Sequence, residues 1–232
     1  LQSTDLSIAS DDEDYLVKSS GGDARAMLKL LEFSANISKD ITLELLKSLR
    51  PNALSAGSSE AGVHYDLTSA RIKSIRGSDA DASIYDLARL IEGGESADFI
   101  ARRLVILASE GIGNANPQAL TLTTSAMTSV SKIGFPEARI ILAQAVVYLC
   151  ASPKSNSSYL AINDALSAVK NGVMLEIPET LKQQGVGYLY PHDFGGHVKQ
   201  QYLADKLKFV ELKDVGYEKK MKEWMQMLDS FS

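Results

Sequence analysis

From Leu67 to Val169 the apolar residues return at three- and four-residue intervals, and each run is cut by Gly, Pro, Asn or Asp after about 15–20 residues. Sustained alternation of apolar and polar residues, the pattern of a half-buried strand, does not occur in this stretch. Such a chain folds as a succession of short helices joined by tight loops, and the class expected is all-α. No residue pattern returns at a fixed period, so a compact helical bundle is preferred to a solenoid.

The helix signals are local and specific. Ser10 is an N-cap candidate, followed by the acidic turn Asp11 to Asp14 at the positive end of a helix dipole. Asp23 caps a second helix with Ala24, Met27, Leu28 and Leu31 on one face, and Thr42 opens a third that Pro51 is expected to stop. Pro51 to Ser59 is rich in small and turn-forming residues and reads as a linker, which divides the chain into 1–50, a linker at 51–60, and 61–232. Beyond it, Asp79 or Asp81, Ser96, Asn116-Pro117, Pro136 and Asn156 each open a helix. The inward residues expected are Ile84, Leu87, Ala88 and Ile91; then Ile100, Leu104, Leu107 and Ala108; then Leu120, Thr123, Met127 and Val130. The helix with Ile140 to Ala143 and Ala145 to Val147 is apolar nearly all round and is expected at the centre. Tyr159, Ile162, Leu166 and Val169 line the next helix. Residues 173–215 carry no sustained period and read as an irregular arm with one or two strand-like pieces, before a last helix with Tyr217, Met221, Trp224 and Leu228 on one face.

Charge excludes some functions. The chain has 24 Lys+Arg and 29 Asp+Glu, a formal net charge of −5, so it does not grip nucleic acid by net charge alone. Residues 1–60 hold 6 basic and 10 acidic groups, residues 61–172 hold 10 of each, and residues 173–232 hold 8 and 9. A neutral, aliphatic middle segment lowers the electrostatic cost of self-association. No apolar run approaches the ~18 residues that span a bilayer, and no basic-then-apolar signal peptide opens the chain. A cytoplasmic protein is expected, and Leu1 in place of Met suggests a piece of a longer one.

Catalytic chemistry is hard to place. The sequence contains no G-x-x-x-x-G-K-[ST] phosphate loop and no apolar strand ending in paired acids. Gly111-Ile112-Gly113 lacks the third glycine of a dinucleotide fingerprint and follows a helix. His192 and His197 match no metal-ligand spacing, and the single cysteine, Cys150, lies in the most apolar helix, where it acts as a small hydrophobe. No catalytic residue and no metal ligand are assigned.

One short motif stands apart. Gly21-Gly22-Asp23-Ala24-Arg25 places an arginine on the first turn of an apolar helix. By itself this reads as a surface arginine beside an acidic cap. It also resembles the sensor-2 segment of AAA+ ATPases of the clamp-loader clade. His64-Tyr65-Asp66-Leu67, Lys73 to Asp79, Phe99 to Leu104, Ala108-Ser109-Glu110, Leu142 to Ala145, Pro153-Lys154-Ser155-Asn156 and Tyr190-Pro191-His192-Asp193 follow in order. Together, from about Asp11 to Tyr217, they resemble the C-terminal half of the replication-associated recombination protein A family, relatives of the Werner-helicase-interacting protein. Gly111 stands where that family usually has an acidic residue, the stretch from Pro178 to Tyr190 is short, and Phe194-Gly195-Gly196 lacks the family's proline.

The resemblance implies a helical lid remnant at 1–50 and, at 61–232, a helical oligomerisation domain like a clamp-loader collar. The intact parent would bind ATP and Mg, with Arg25 sensing nucleotide and Gly22 and Asp23 setting its helix entry. This chain by itself would hold no cofactor and be non-catalytic. The implied partners are a homotetramer, DNA and single-stranded-DNA-binding protein, with no membrane, at replication forks and near the nucleoid. Arg71, Lys73 and Arg76, and the pair Arg102-Arg103, are candidate contacts to DNA phosphates or to a neighbouring subunit; a solvated helix face is the competing reading. The alternative to an assembly module is a monomeric helical scaffold for a partner such as single-stranded-DNA-binding protein.

Overall fold

A computed structural model describes residues 6–20, 24–55 and 60–230, with the side chains of residues 26, 50–55, 60–65 and 229 outside the description. The all-α class holds: ten α-helices are described, against one pair of two-residue strands. The helices are α1 (Ser10–Ser19), α2 (Ala24–Ile37), α3 (Leu43–Ser55), α4 (Glu60–Arg76), α5 (Ala80–Glu92), α6 (Ala97–Leu107), α7 (Gln118–Ile133), α8 (Ala138–Ala151), α9 (Ser157–Lys170) and α10 (Gly216–Ser230). Strands β1 (Ser7–Ile8) and β2 (Asp40–Ile41) pair in parallel, Ser7 opposite Asp40 and Ile8 opposite Ile41. The sequence reading did not include this pair; two residues are too few for alternation to show.

The chain forms two compact units, each discontinuous in sequence: residues 1–100 with 129–150, and residues 101–128 with 151–232.

In the first unit, Leu16, Leu30, Ile41 and Leu46 form a buried cluster, and Ile8, Tyr15, Met27 and Leu49 pack against it. The Ser34 hydroxyl, also buried, donates to the Leu30 carbonyl at 2.8 Å, so its polar atom is satisfied within the helix. Thr42 caps α3 as expected, its hydroxyl accepting from the Leu45 N–H at 3.3 Å. Pro51 does not stop α3. The helix runs through it to Ser55, because a proline removes one i→i−4 bond without dictating the residues that follow. The linker expected at 51–60 is therefore helical at 51–55 and again from Glu60, with 56–59 outside the described residues. Downstream, α4 packs on α5, which Asp79 caps by accepting from the Ala82 N–H at 2.9 Å.

Several expected faces are rotated. On α2 the buried residues include Leu30 and Ser34, while Leu28 is exposed. On α5 they are Ser83, Asp86, Leu87 and Leu90; Ala88 is exposed. On α7 they include Ala119, Thr123, Ala126 and Val130 in place of Leu120. On α7 the small Ala119, one position away, is buried where Leu120 is exposed. On α6 the expectation holds, with Ile100, Leu104 and Leu107 all buried, as is Ala108 just beyond it. Helix α8 buries Leu142, Ala145, Val146, Leu149 and Cys150 but leaves Ile140 and Val147 in solvent, so it is not enclosed all round.

The second unit departs furthest. The only buried residue of α9 is Ser157, and Tyr159, Ile162, Leu166 and Val169 are all exposed. Residues 173–215 form no strand; the arm contains two 3₁₀ turns, Glu179–Leu181 and Pro191–Phe194. Helix α10 exposes Tyr217 and Trp224 and buries Glu218 instead.

Candidate functional site

Arg25 comes first. Arg25 lies exposed on the first turn of α2, where a guanidinium can meet an anion near the positive end of the helix dipole. Gly22 and Asp23 fall outside the described residues.

The two basic clusters do not present as units. Arg71 is completely buried in α4, whereas Lys73 and Arg76 are exposed in its last turns. Arg71 faces Asp86 of α5, also buried, whose carboxyl is also flanked by Arg89 and Ser74. Burial pushes the Asp86 pKa up, and the Arg89 and Arg71 charges and the nearby Ser74 hydroxyl oppose that without cancelling it. An arginine so enclosed in its own chain serves the α4–α5 packing, and the phosphate contact considered for it does not fit this burial. In the second unit Arg102 is exposed and Arg103 is half-buried.

Cys150 is buried, with its sulfur 3.3 Å from the Ser83 hydroxyl. His192 stands beside Tyr190, ring centroids 4.9 Å apart, in the 3₁₀ turn that Gly195 closes. Among the described residues, no three His, Cys, Asp or Glu side chains converge to hold a metal ion.

The feature that sequence reasoning missed is a polar socket in the second unit. After α6 the backbone widens into a π-turn, Ala108–Ile112, and then tightens into a 3₁₀ turn, Gly113–Ala115. Gly113 adopts φ +51°, and a Cβ there would sit 3.0 Å from the Ser155 carbonyl oxygen, so the turn and the segment before α9 meet backbone to backbone. The Asn114 amide donates to the Ser158 hydroxyl at 3.1 Å, and the Asn116 amide to the Ser152 hydroxyl at 3.0 Å. Helix α10 enters this socket through Gly216, at φ +54°; a Cβ there would fall 2.2 Å from the Ala115 carbonyl oxygen and 2.8 Å from the Pro153 ring.

Glu218 then lies fully buried. Its Oε1 accepts the Lys213 backbone N–H at 2.9 Å, and the Lys213 ammonium donates to the Asn156 side-chain oxygen. Burial pushes this carboxyl up, but the neighbouring Ser155 and Ser157 hydroxyls, the Lys213 N–H and the Lys213 charge together outweigh it and hold the pKa below its ordinary value. Asn156 was expected to cap α9 and makes no side-chain cap bond there; its oxygen serves Lys213. The socket is thus a latch between α10 and the start of α9. A single acidic residue amid the many charges of residues 211–223 carries no mark in the sequence that sets it apart.

The arm has its own clasp. The Gln200 side chain accepts from the Leu189 N–H at 3.1 Å and donates to the Leu189 carbonyl at 2.7 Å and the Tyr202 hydroxyl at 2.9 Å. This closes the loop from Leu189 to Gln200 and leaves Tyr190 and Phe194 in solvent.

An exposed arginine at a helix start is here followed by short helices and an irregular arm. Residues 2–76 match the family described as AAA C-terminal domain, and residues 77–229 match the one described as MgsA AAA+ ATPase C terminal. The chain belongs to the MgsA AAA+ ATPase C-terminal family. It is 41% identical over 222 residues to the replication-associated recombination protein A of Bacillus subtilis, covering 87% of this chain and 52% of that protein. It is 34% identical over 189 residues to the protein of the same name in Escherichia coli K12, covering 74% and 42%. An uncharacterised protein of Thermotoga maritima is 43% identical over 227 residues, covering 93% and 37%. The chain therefore spans about half or less of the length of these relatives. Among the described residues, no helix is long and apolar enough to cross a membrane.

Proposed function

We propose that this chain is the lid and assembly part of an ATP-dependent, DNA-stimulated protein of replication-associated recombination, and that its own role is to bring copies of the protein together as a homotetramer. The observation that carries the reading is the apolar surface of the second unit. Twenty-one large apolar side chains between Tyr159 and Met227 are exposed, Met174, Ile177 and Val186 most of all. With about half of each side chain in water, this is on the order of 1,500 Å² of apolar surface. A stable interface takes ~800 Å² from each partner. Burial of such an area is the main favourable term in association.

In the intact parent, ATP with Mg would meet Arg25, whose exposed guanidinium fits a terminal phosphate; the nucleotide supplies the phosphoanhydride, and Arg25 supplies a fixed positive charge that reports its presence. DNA and single-stranded-DNA-binding protein are the partners of that parent, and the exposed cations Lys73, Arg76 and Arg102 suit phosphate contacts better than buried Arg71 does.

Light scattering after size exclusion tests the reading. The expected mass is four times 25.1 kDa. A strictly monomeric mass at high concentration overturns it, and a monomer that still captures single-stranded-DNA-binding protein selects the scaffold reading. In the full-length protein, Arg25→Ala is expected to slow ATP turnover while leaving the mass unchanged.

A further inference from the structure

Helix α9 is a two-heptad helix with its apolar stripe in solvent. Tyr159, Ile162, Leu166 and Val169 follow the 3-4-3 spacing of a coiled-coil seam over about 15 Å of helix, and Ile162 is 56% exposed. The spacing is symmetric about residue 164. An antiparallel copy of the same helix would therefore set Tyr159 opposite Val169 and Ile162 opposite Leu166.

The flanks agree with such a pairing. Asn163 and Ala165 border the seam near its centre and carry no charge, and the one acid of the helix, Asp164, occupies the position that points away from an antiparallel partner. Lys170 would lie opposite Ser158, so no like charges meet. A surface complementary to itself under a two-fold rotation is what an isologous interface requires.

We infer that α9 is one of the subunit interfaces, and that its occupant is α9 of a second copy of this chain, packed antiparallel about residue 164. The inference rests on the assembly reading and specifies where that assembly is made. A nucleic-acid partner is disfavoured because the stripe offers no cation until Lys170.

The test uses the whole chain in two ways. Mixing Ile162→Cys chains with Leu166→Cys chains should give a covalent dimer under mild oxidation, while either variant alone crosslinks at least about ten-fold less; Cys150 is buried and stays silent. The double variant Ile162→Glu/Leu166→Glu should fall to half the assembled mass or less with unchanged far-UV circular dichroism, whereas Val17→Glu on exposed α1 keeps the full mass. Crosslinking of Ile162→Cys with itself as readily as in the mixture overturns the antiparallel register. Full assembled mass in the double glutamate variant overturns the interface and leaves the assembly reading standing. A monomeric wild-type chain overturns both.

Discussion

The backbone N–H of Lys213 donates to Oε1 of Glu218 at 2.9 Å, five residues ahead on the first turn of α10. That bond joins the end of the irregular arm to a buried carboxylate, which lies beside the Ser155 and Ser157 hydroxyls at the start of α9. One side chain thus sits where α10 meets the start of α9, far apart in sequence, and without it the arm's end and α10 lose their common anchor.

Glu218→Ala is expected to cost about 1.5–3 kcal/mol, the range for hydrogen bonds to a charged group, read from urea unfolding at constant m-value. The acid limb should change too. The folded carboxyl holds its proton less tightly than the unfolded one, so its contribution is complete above the ordinary value of 4.5 and is lost as the pH falls through the lower folded value. Glu218→Gln should remove that part of the acid sensitivity; an unaltered stability-versus-pH curve between pH 5 and about 3 would count against the latch.

Arg71→Ala should destabilise by about 1–3 kcal/mol, because it empties a fully buried side-chain site and removes a charge that favours the ionised Asp86 carboxyl, while Arg89 remains. Asp86 already titrates above its ordinary 3.8. A group whose folded pKa is raised favours the fold when protonated, so the variant's deficit should shrink as the pH drops through that raised value. Thermal melts at pH 7 and pH 4 read both effects; a loss below about 0.5 kcal/mol would mean that Arg71 is a surface residue in solution.

Gly216→Ala should cost about 2 kcal/mol or more, since φ is positive and the new Cβ would meet a backbone oxygen that has little freedom to move. Gly94→Ala is the informative comparison. It also has positive φ, +83°, but nothing lies within 4 Å of the added carbon, so it should cost only the strain of the backbone, about 1 kcal/mol. Equal losses at the two positions would show that the socket is looser than described.

Cys150 should resist thiol reagents in the native chain and react at the ordinary rate once unfolded, because its sulfur is enclosed beside Ser83. Modification under native conditions that keeps pace with the unfolded control would contradict its burial.

Periodicity and punctuation in the sequence determined the all-α class, most helix starts, the caps at Thr42, Asp79 and Ser96, and through the ordered motifs the family itself. These are local quantities: a cap needs only its own turn, and a helical period only its own residues. The tertiary structure alone decided which side of each helix is covered. Helix α9 and helix α6 read alike on paper, yet Leu104 and Leu107 are buried and Ile162 and Leu166 are not. Only the tertiary structure removed Arg71 from the candidate nucleic-acid contacts, and only it singled out Glu218. The reason is physical: an apolar stripe states that a face must be covered, but the covering element lies elsewhere in the chain or on another copy. A buried carboxylate is defined by the donors brought to it, and no local pattern of residues records which donors those will be.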